Sequence, residues 1–301
     1  MQATRVALLQ YALVGDHAAM CQQVEALTAQ AKDGGAAFVC LPEFSLIPYF
    51  PGTTDPQGFH YAEDPTDGPS VRFFAETAHR YSVYLLGSFY EKTAEGGLFD
   101  TATLHAPDGS LVGMTRKVHI PSGEGYNETH FFSGYHAFPV HETEALKCAL
   151  PTCYDQWFPE LARIYAMNGA EFIFYPTAIG SDLMLPEFEY ESAWTTVMRG
   201  HAAANGVFIG AANRVGVENG VIFFGSSFVC DPRGEILAQA GRDTTEVIFA
   251  DLDPQVMANY RFLFPLLHQR RPELYARLLE NDAPYERPAW VRDSSGLKAE
   301  G

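Results

Sequence analysis

Hydrophobic and polar positions along the chain switch repeatedly between two periods. Residues 6–10 form a short apolar run of strand length. Met20, Val24, Leu27 and Ala31 then recur at steps of four, three and four, which is the spacing of one helix face. Gly34-Gly35 supplies the stop for that helix. Residues 37–41 (AFVCL) are continuously apolar, as expected of a strand buried on both faces, and Glu43 follows at its carboxyl end. A stretch from Phe44 to about Pro69 is rich in Pro, Gly and aromatics, including Tyr49, Phe50, Phe59 and Tyr61. Loops of such length inside a compact domain are usually functional. A helix over about 70–80 and a strand over 83–89 come next. Asp108-Gly109 then turns a strand at 101–105 back along one at 111–115.

The second half repeats the alternation. The pattern predicts a strand at 147–152 and a helix at 158–168, with Leu161, Ile164, Tyr165 and Asn168 on one side and Gly169 as its cap. A buried strand at 171–175 (EFIFY), a helix at 190–205 and a strand at 207–212 follow. A hairpin pairs 223–230 with 235–240 across Asp231-Pro232-Arg233-Gly234, before a last strand at 247–251 and a short helix at 272–280. The polar stretch 282–301 reads as an arm, which leaves 1–281 as one domain. Strands alternating with helices, together with hairpins, predict a mixed α/β layered sandwich.

Composition narrows the function. With 47% hydrophobic residues in 301, a large core can be buried. The 37 acidic residues against 20 basic ones give a net charge of −17, which argues against nucleic acid and anionic membrane surfaces and is compatible with a cationic small substrate. The amino-terminal stretch lacks a signal-peptide pattern, and no apolar run approaches the ~20 residues of a membrane span. Five cysteines without a CxxC make a disulfide framework or a structural zinc site improbable. A reducing cytoplasm is the expected setting.

Three residue types then stand out by position. Cys153 lies where a strand gives way to a helix. Amide donors there favour a thiolate, and the N–H groups just after it, Tyr154 first, could receive an oxyanion. Free Cys is also commonly just a small buried hydrophobe. Glu43, at a strand's carboxyl end, could take the thiol proton and return it to a leaving amine, or could be a surface carboxylate. Lys117 follows a hairpin strand; it could stabilise a tetrahedral oxyanion, or be a solvated edge lysine, and His119 shares that ambiguity.

Leu41-Pro42-Glu43, Arg116-Lys117-Val118-His119-Ile120-Pro121 and the stretch from Cys153 to Glu160 (CYDQWFPE) together resemble the nitrilase, or carbon–nitrogen hydrolase, superfamily, over roughly residues 4–280. The stretch from His119 to Glu128 (HIPSGEGYNE), residues 174–181 (FYPTAIGS), Arg199-Gly200-His201-Ala202 and residues 270–275 (RRPELY) look most like the N-carbamoylputrescine amidases. The resemblance implies a four-layer αββα sandwich, homodimers or larger assemblies, a small amide or carbamoyl substrate, and neither metal nor organic cofactor. It makes Cys153 the nucleophile, Glu43 the general base and acid, Lys117 the oxyanion stabiliser, and Glu128 a second glutamate that orients the lysine or the substrate nitrogen.

The chain departs from the family pattern in four places. Tyr154-Asp155 stands where nitrilases proper carry Trp-Glu, which favours amidase chemistry. Phe99-Asp100-Thr101-Ala102 replaces an Asn-Ser of relatives. Pro151 removes a ladder donor just before the nucleophile, and the loop at 44–50 is altered. For the substrate, Tyr49, Phe50, Tyr126, Tyr154 and Trp157 are expected to form an apolar wall, beside Ala178 of the segment after the strand at 171–175. Asp182, Glu187 and Glu189 are candidate partners for an amine, whereas Arg199 and His201 leave an acidic substrate open.

Overall fold

The structure is a computed structural model that describes residues 1–280 and 283–291. In chain order its strands and helices are β1 (Thr4–Ala12), α1 (His17–Asp33), β2 (Phe38–Cys40), α2 (Pro69–Tyr81), β3 (Tyr84–Lys92), β4 (Leu98–His105), β5 (Leu111–Arg116), β6 (His141–Glu142), β7 (Lys147–Ala149), α3 (Pro159–Met167), β8 (Phe172–Pro176), α4 (Glu191–Asn205), β9 (Phe208–Ala212), β10 (Arg214–Glu218), β11 (Val221–Phe224), β12 (Phe228–Cys230), β13 (Ile236–Gln239), β14 (Glu246–Leu252) and α5 (Pro254–Leu263).

Two sheets carry the domain. One has the order β11-β10-β1-β2-β3-β4-β5, with β14 also paired to β1; the other runs β13-β12-β9-β8-β7-β6. Side chains alternate across each strand, so successive residues serve different layers. Val6 and Leu8 of β1 face the space between the sheets, where Phe38, Leu86 and Leu104 meet Phe172, Phe174, Phe208 and Val229 of the second sheet. Ala7 and Leu9 turn the other way and pack with Met20 and Val24 of α1 and Phe74 and Ala78 of α2. On the far side, Leu161 and Tyr165 of α3 and Trp194 and Met198 of α4 cover Ile173, Tyr175 and Ile209. The layers are therefore α, β, β, α, as the resemblance implied.

The pairing directions decide where chemistry can gather. β1, β2 and β3 are mutually parallel, and two antiparallel steps through β4 return β5 to the same direction. β7, β8 and β9 are parallel in the second sheet. Residues 43 and 117 thus leave one shared edge of the first sheet, and residues 153 and 178 leave the strand ends of the second. The backbone N–H of Glu43 donates to Thr177 O across 3.4 Å, joining the two edges.

Several sequence expectations are revised. The run at 223–230 is not one strand: Gly225 and Ser226 take left-handed φ of 58° and 57°, sending β11 to the first sheet and β12 to the second. β10 and β11 form a hairpin about Asn219-Gly220, a turn signal that the apolar run obscured. In α3 the buried stripe is Leu161, Ala162, Tyr165 and Ala166, while Asn168 is exposed. Alanines weigh little in a periodicity count, but their small side chains let the helix backbone approach its neighbours. The strand before Cys153 ends at Ala149, two residues ahead of Pro151, and 272–280 holds two short 3-10 turns rather than one helix.

Helix α5 was not anticipated, although Pro254 at its first turn and Asp253 capping Gln255 N at 2.8 Å are ordinary start signals. Of the expected polar arm, residues 282 and 292–301 lie outside the described residues. Among the described residues no helix is long and apolar enough to cross a membrane.

Phe174 is fully buried between the sheets. Phe174→Ala is expected to lower unfolding free energy by about 3–5 kcal/mol, read by denaturant titration, because the gap between two sheets collapses poorly.

Candidate active site

Lys117 leaves the end of β5 with its backbone N–H bonded to Asp100 O at 2.9 Å, and its side chain is fully buried. Its ammonium lies 2.7 Å from Glu43 Oε1, 2.5 Å from Glu128 Oε2 and 3.4 Å from Asp100 Oδ2. Glu128 is held from its other side by Tyr49, whose hydroxyl donates to Oε1 at 2.8 Å. Burial opposes the lysine's charge, but Glu128 and Glu43 outweigh it and hold the ammonium well above its ordinary pKa. Burial also pushes the Glu43 carboxyl well above the usual range; Lys117 opposes this while Asp100 and Glu128 add to it. Glu128 is raised for the same first reason. Glu43, Asp100 and Glu128 could in principle ligate a metal ion, having oxygens within 4.8 Å of one another. The cation at their convergence is the lysine's own.

Cys153 opens a 3-10 turn, Cys153–Trp157, with φ at 41°. A non-glycine residue in that region is uncommon and costs free energy that its surroundings must offset. Asp155 holds the turn. Its carboxylate accepts from Thr152 N at 3.2 Å, Val118 N at 3.2 Å and His119 N at 2.8 Å, and meets the His119 ring at 2.8 Å. One buried carboxylate therefore clamps the cysteine turn of the second sheet to the segment that carries Lys117 in the first. Cys153 Sγ lies 3.8 Å from Ala178 O. Asn213 fixes that segment through Ile179, accepting from its N–H and donating to its carbonyl, each at 2.9 Å. The thiolate expected from nearby amide donors is not favoured at rest. Burial, with the negative field of Glu43, raises the thiol well above its ordinary pKa despite Lys117. A thiol held this way ionises readily only where a base takes its proton.

The thiol opens into a cavity of about 310 Å³. Of the expected binding residues, Tyr126, Tyr154, Trp157, Ala178 and Asp182 line it. Tyr49 does not. It is fully buried behind Glu128, within an aromatic cluster that also takes Phe50, so its part is to hold the glutamate. Glu187 and Glu189 are exposed, and Phe188 between them faces the cavity instead. Arg199 donates to Gly234 O at 2.6 Å and His201 meets Gln156 O at 2.9 Å; neither reaches the cavity. Sequence reasoning missed Gln156, Ile179, Tyr190 and Trp290 on the wall. Only Trp290, in the supposed arm, had no signal at all. Among the described residues lining the cavity the charged side chains are Glu128 and Asp182, and no Lys, Arg or His is present.

The loop after Glu43 has its own anchor. Arg214, fully buried, pairs with Glu218 at 2.8 Å and donates to Phe44 O at 3.1 Å and Ile47 O at 2.5 Å. Glu218 also accepts from Tyr49 N at 2.7 Å.

Residues 5–262 match the family model described as carbon-nitrogen hydrolase. The chain belongs to the carbon–nitrogen hydrolase family. It is 36% identical over 280 residues to a citrullinase of Francisella tularensis, covering 91% of this chain and 98% of that protein. It is 35% identical over 286 residues to an N-carbamoylputrescine amidase of Solanum lycopersicum, covering 92% and 95%. Among solved structures, a carbon-nitrogen hydrolase from Helicobacter pylori G27 superposes with a TM-score of 0.87 at 34% identity, covering 93% of this chain and 99% of that one. The protein is accordingly a hydrolase of non-peptide C–N bonds.

The clamp can be tested on this hydrolase directly. Asp155→Ala leaves buried N–H donors unpaired, and is expected to cost about 1–3 kcal/mol of stability and to slow alkylation of Cys153. Thermal melts and adduct mass spectrometry read the two effects.

Proposed function

We propose that the hydrolase cleaves an N-carbamoyl amine, of the N-carbamoylputrescine kind, to amine, carbon dioxide and ammonia. In this reading Cys153 is the nucleophile, Glu43 the general base and acid, Lys117 the oxyanion stabiliser, and Glu128 the group that orients Lys117. Glu43 accepts the thiol proton as sulfur bonds to the ureido carbonyl carbon. The negative charge on the carbonyl oxygen is met by the Lys117 ammonium, with the Tyr154 N–H as a second donor. The C–N bond to the amine breaks, and the nitrogen leaves with the proton returned from Glu43. Water, deprotonated by Glu43, then attacks the S-carbamoyl carbon. Sulfur departs and regains its proton, and the released carbamic acid breaks down to carbon dioxide and ammonia.

The observation that carries the substrate class is the charge of the cavity wall: an acidic side chain at Asp182 and no cation to receive a carboxylate. A ureido group at Cys153 with a distal ammonium near Asp182 satisfies both ends. A carbamoyl amino acid is the second reading: an N-carbamoyl amino acid has no α-ammonium for Asp182, but one carbamoylated on its side-chain nitrogen, as citrulline is, keeps it, and the likeness to a citrullinase supports that form. A simple aliphatic or ω-amide, or a catalytically silent scaffold, has no such support from the wall. The exposed apolar surface of Phe262 (84%) and Leu279 (89%) favours self-association into a dimer or larger assembly.

Product release from N-carbamoylputrescine, citrulline, N-carbamoyl-β-alanine and simple ω-amides separates these readings. Selective turnover of N-carbamoylputrescine is expected, with ammonia and carbon dioxide formed together; ammonia without carbon dioxide would instead mean an amide substrate. Cys153→Ala should abolish turnover and leave the melting curve in place; substantial residual activity would remove the nucleophile from the mechanism. Asp182→Asn should raise KM for the cationic substrate about tenfold or more with kcat little changed, as for a lost charge-assisted contact. An unaltered KM would sink the proposed amine site.

A further inference from the structure

Asp100 is fully buried on β4, and the catalytic scheme above gives it no task. Its Oδ1 accepts from Ser88 Oγ at 3.1 Å, and its Oδ2 lies 3.4 Å from Lys117 Nζ. Oxygens of Asp100, Glu43 and Glu128 lie within 4.8 Å of one another. Two carboxylate oxygens of this cluster, Glu43 Oε2 and Asp100 Oδ2, have no hydrogen-bond partner. Glu128, in contrast, has donors on both oxygens, from Lys117 and Tyr49. Three carboxylates thus surround one ammonium in a buried site, and the two oxygens without a hydrogen bond among the described residues belong to two different acids.

The other titratable groups facing the cluster are Cys153 and Tyr154 from the 3-10 turn and Tyr49 from the loop after Glu43. Glu91 and Arg116 occupy neighbouring strand positions but are closed on each other at 2.6 Å. Like charges held this close in a low dielectric cannot all persist; one proton shared between two carboxyls removes the conflict and supplies the missing hydrogen bond.

We propose that Asp100 holds one proton jointly with Glu43 in the resting enzyme, and is a positioning residue that sets the basicity of Glu43. The inference rests on Glu43 being the base for Cys153. As the thiol proton moves to Glu43, the proton already shared shifts to Asp100, and the pair passes from one proton to two. It returns to one when the leaving nitrogen is protonated. The single negative charge left on the pair also opposes the acidifying effect of Lys117, which keeps Glu43 basic enough to deprotonate a thiol whose own pKa is raised by burial and by Glu43. A lone glutamate beside that ammonium would be a weaker base.

Asp100→Asn tests this, because it preserves shape and the acceptor for Ser88 while removing the charge. Once the shared proton is gone the wild-type pair carries two negative charges beside the sulfur and the variant only one, which lowers the proton affinity of both Glu43 and Cys153 in the variant. The pH midpoint for alkylation of Cys153 by acrylamide is therefore expected to fall by about one unit or more. The acid limb of kcat/KM should move the same way. Alkylation needs no knowledge of the substrate, so it stays decisive if the carbamoyl-amine reading fails. A variant that melts lower but alkylates with the wild-type midpoint would reduce Asp100 to packing and overturn the proposal. If the variant does not fold, the wild-type protein decides: an infrared band of a protonated carboxyl at mildly alkaline pH is expected, and its absence overturns the shared proton.

Discussion

A lysine ammonium buried away from water is the constraint on which this structure turns. Left alone, such a charge would lose its proton or unfold its surroundings. Here it is kept by carboxylates that arrive from separate parts of the chain: Glu43 after β2, Asp100 on β4 and Glu128 from the 3-10 turn Glu128–His130. Satisfying Lys117 therefore fixes strand ends and a loop relative to one another. Burial raises the proton affinity of both the acid and the thiol, and the neighbouring carboxylates add to it while Lys117 opposes it.

The cysteine comes to this cluster from the other sheet, and its placement depends on polar clamps more than on the apolar core. Asp155 takes backbone donors from both sheets' strand ends, and Asn213 pins the segment whose Ala178 carbonyl faces the sulfur. Arg214 does the same for the loop after Glu43. Each clamp is a buried polar group whose partners are mostly backbone, so each fixes a position in a way that apolar packing, being non-directional, does not. The strained φ of Cys153 fits this picture, since such a conformation persists only where its neighbours dictate it.

In the proposed reading specificity belongs to a different set of residues. The cavity wall joins Cys153 and Tyr154 of the cysteine turn to the segment after β8, through Asp182 and Phe188, and to Trp290. Among the described residues that wall has carboxylates and no cation, which in the proposed reading disfavours anionic ligands by desolvation and repulsion.

The sequence by itself determined the layered α/β class and most strands and helices, because burial on one or both faces writes a period into the chain. It also marked Glu43, Lys117 and Cys153, which lie at the strand ends where periodicity stops and unusual residues follow. Glu128 and Asp182 came with the resemblance and with a charge reading of the loop. The tertiary structure alone decided that Tyr49 backs Glu128 rather than lining the cavity, that 223–230 divides between two sheets, and that Trp290 reaches the substrate space. It alone brought Asp100 and Asp155 to the site, since an isolated aspartate on a strand or after a cysteine is indistinguishable in sequence from a solvated one. The physical reason is common to all of these. Local periodicity reports which face of an element is buried, but the partner of a buried polar group is a long-range fact that exists only once the sheets have packed.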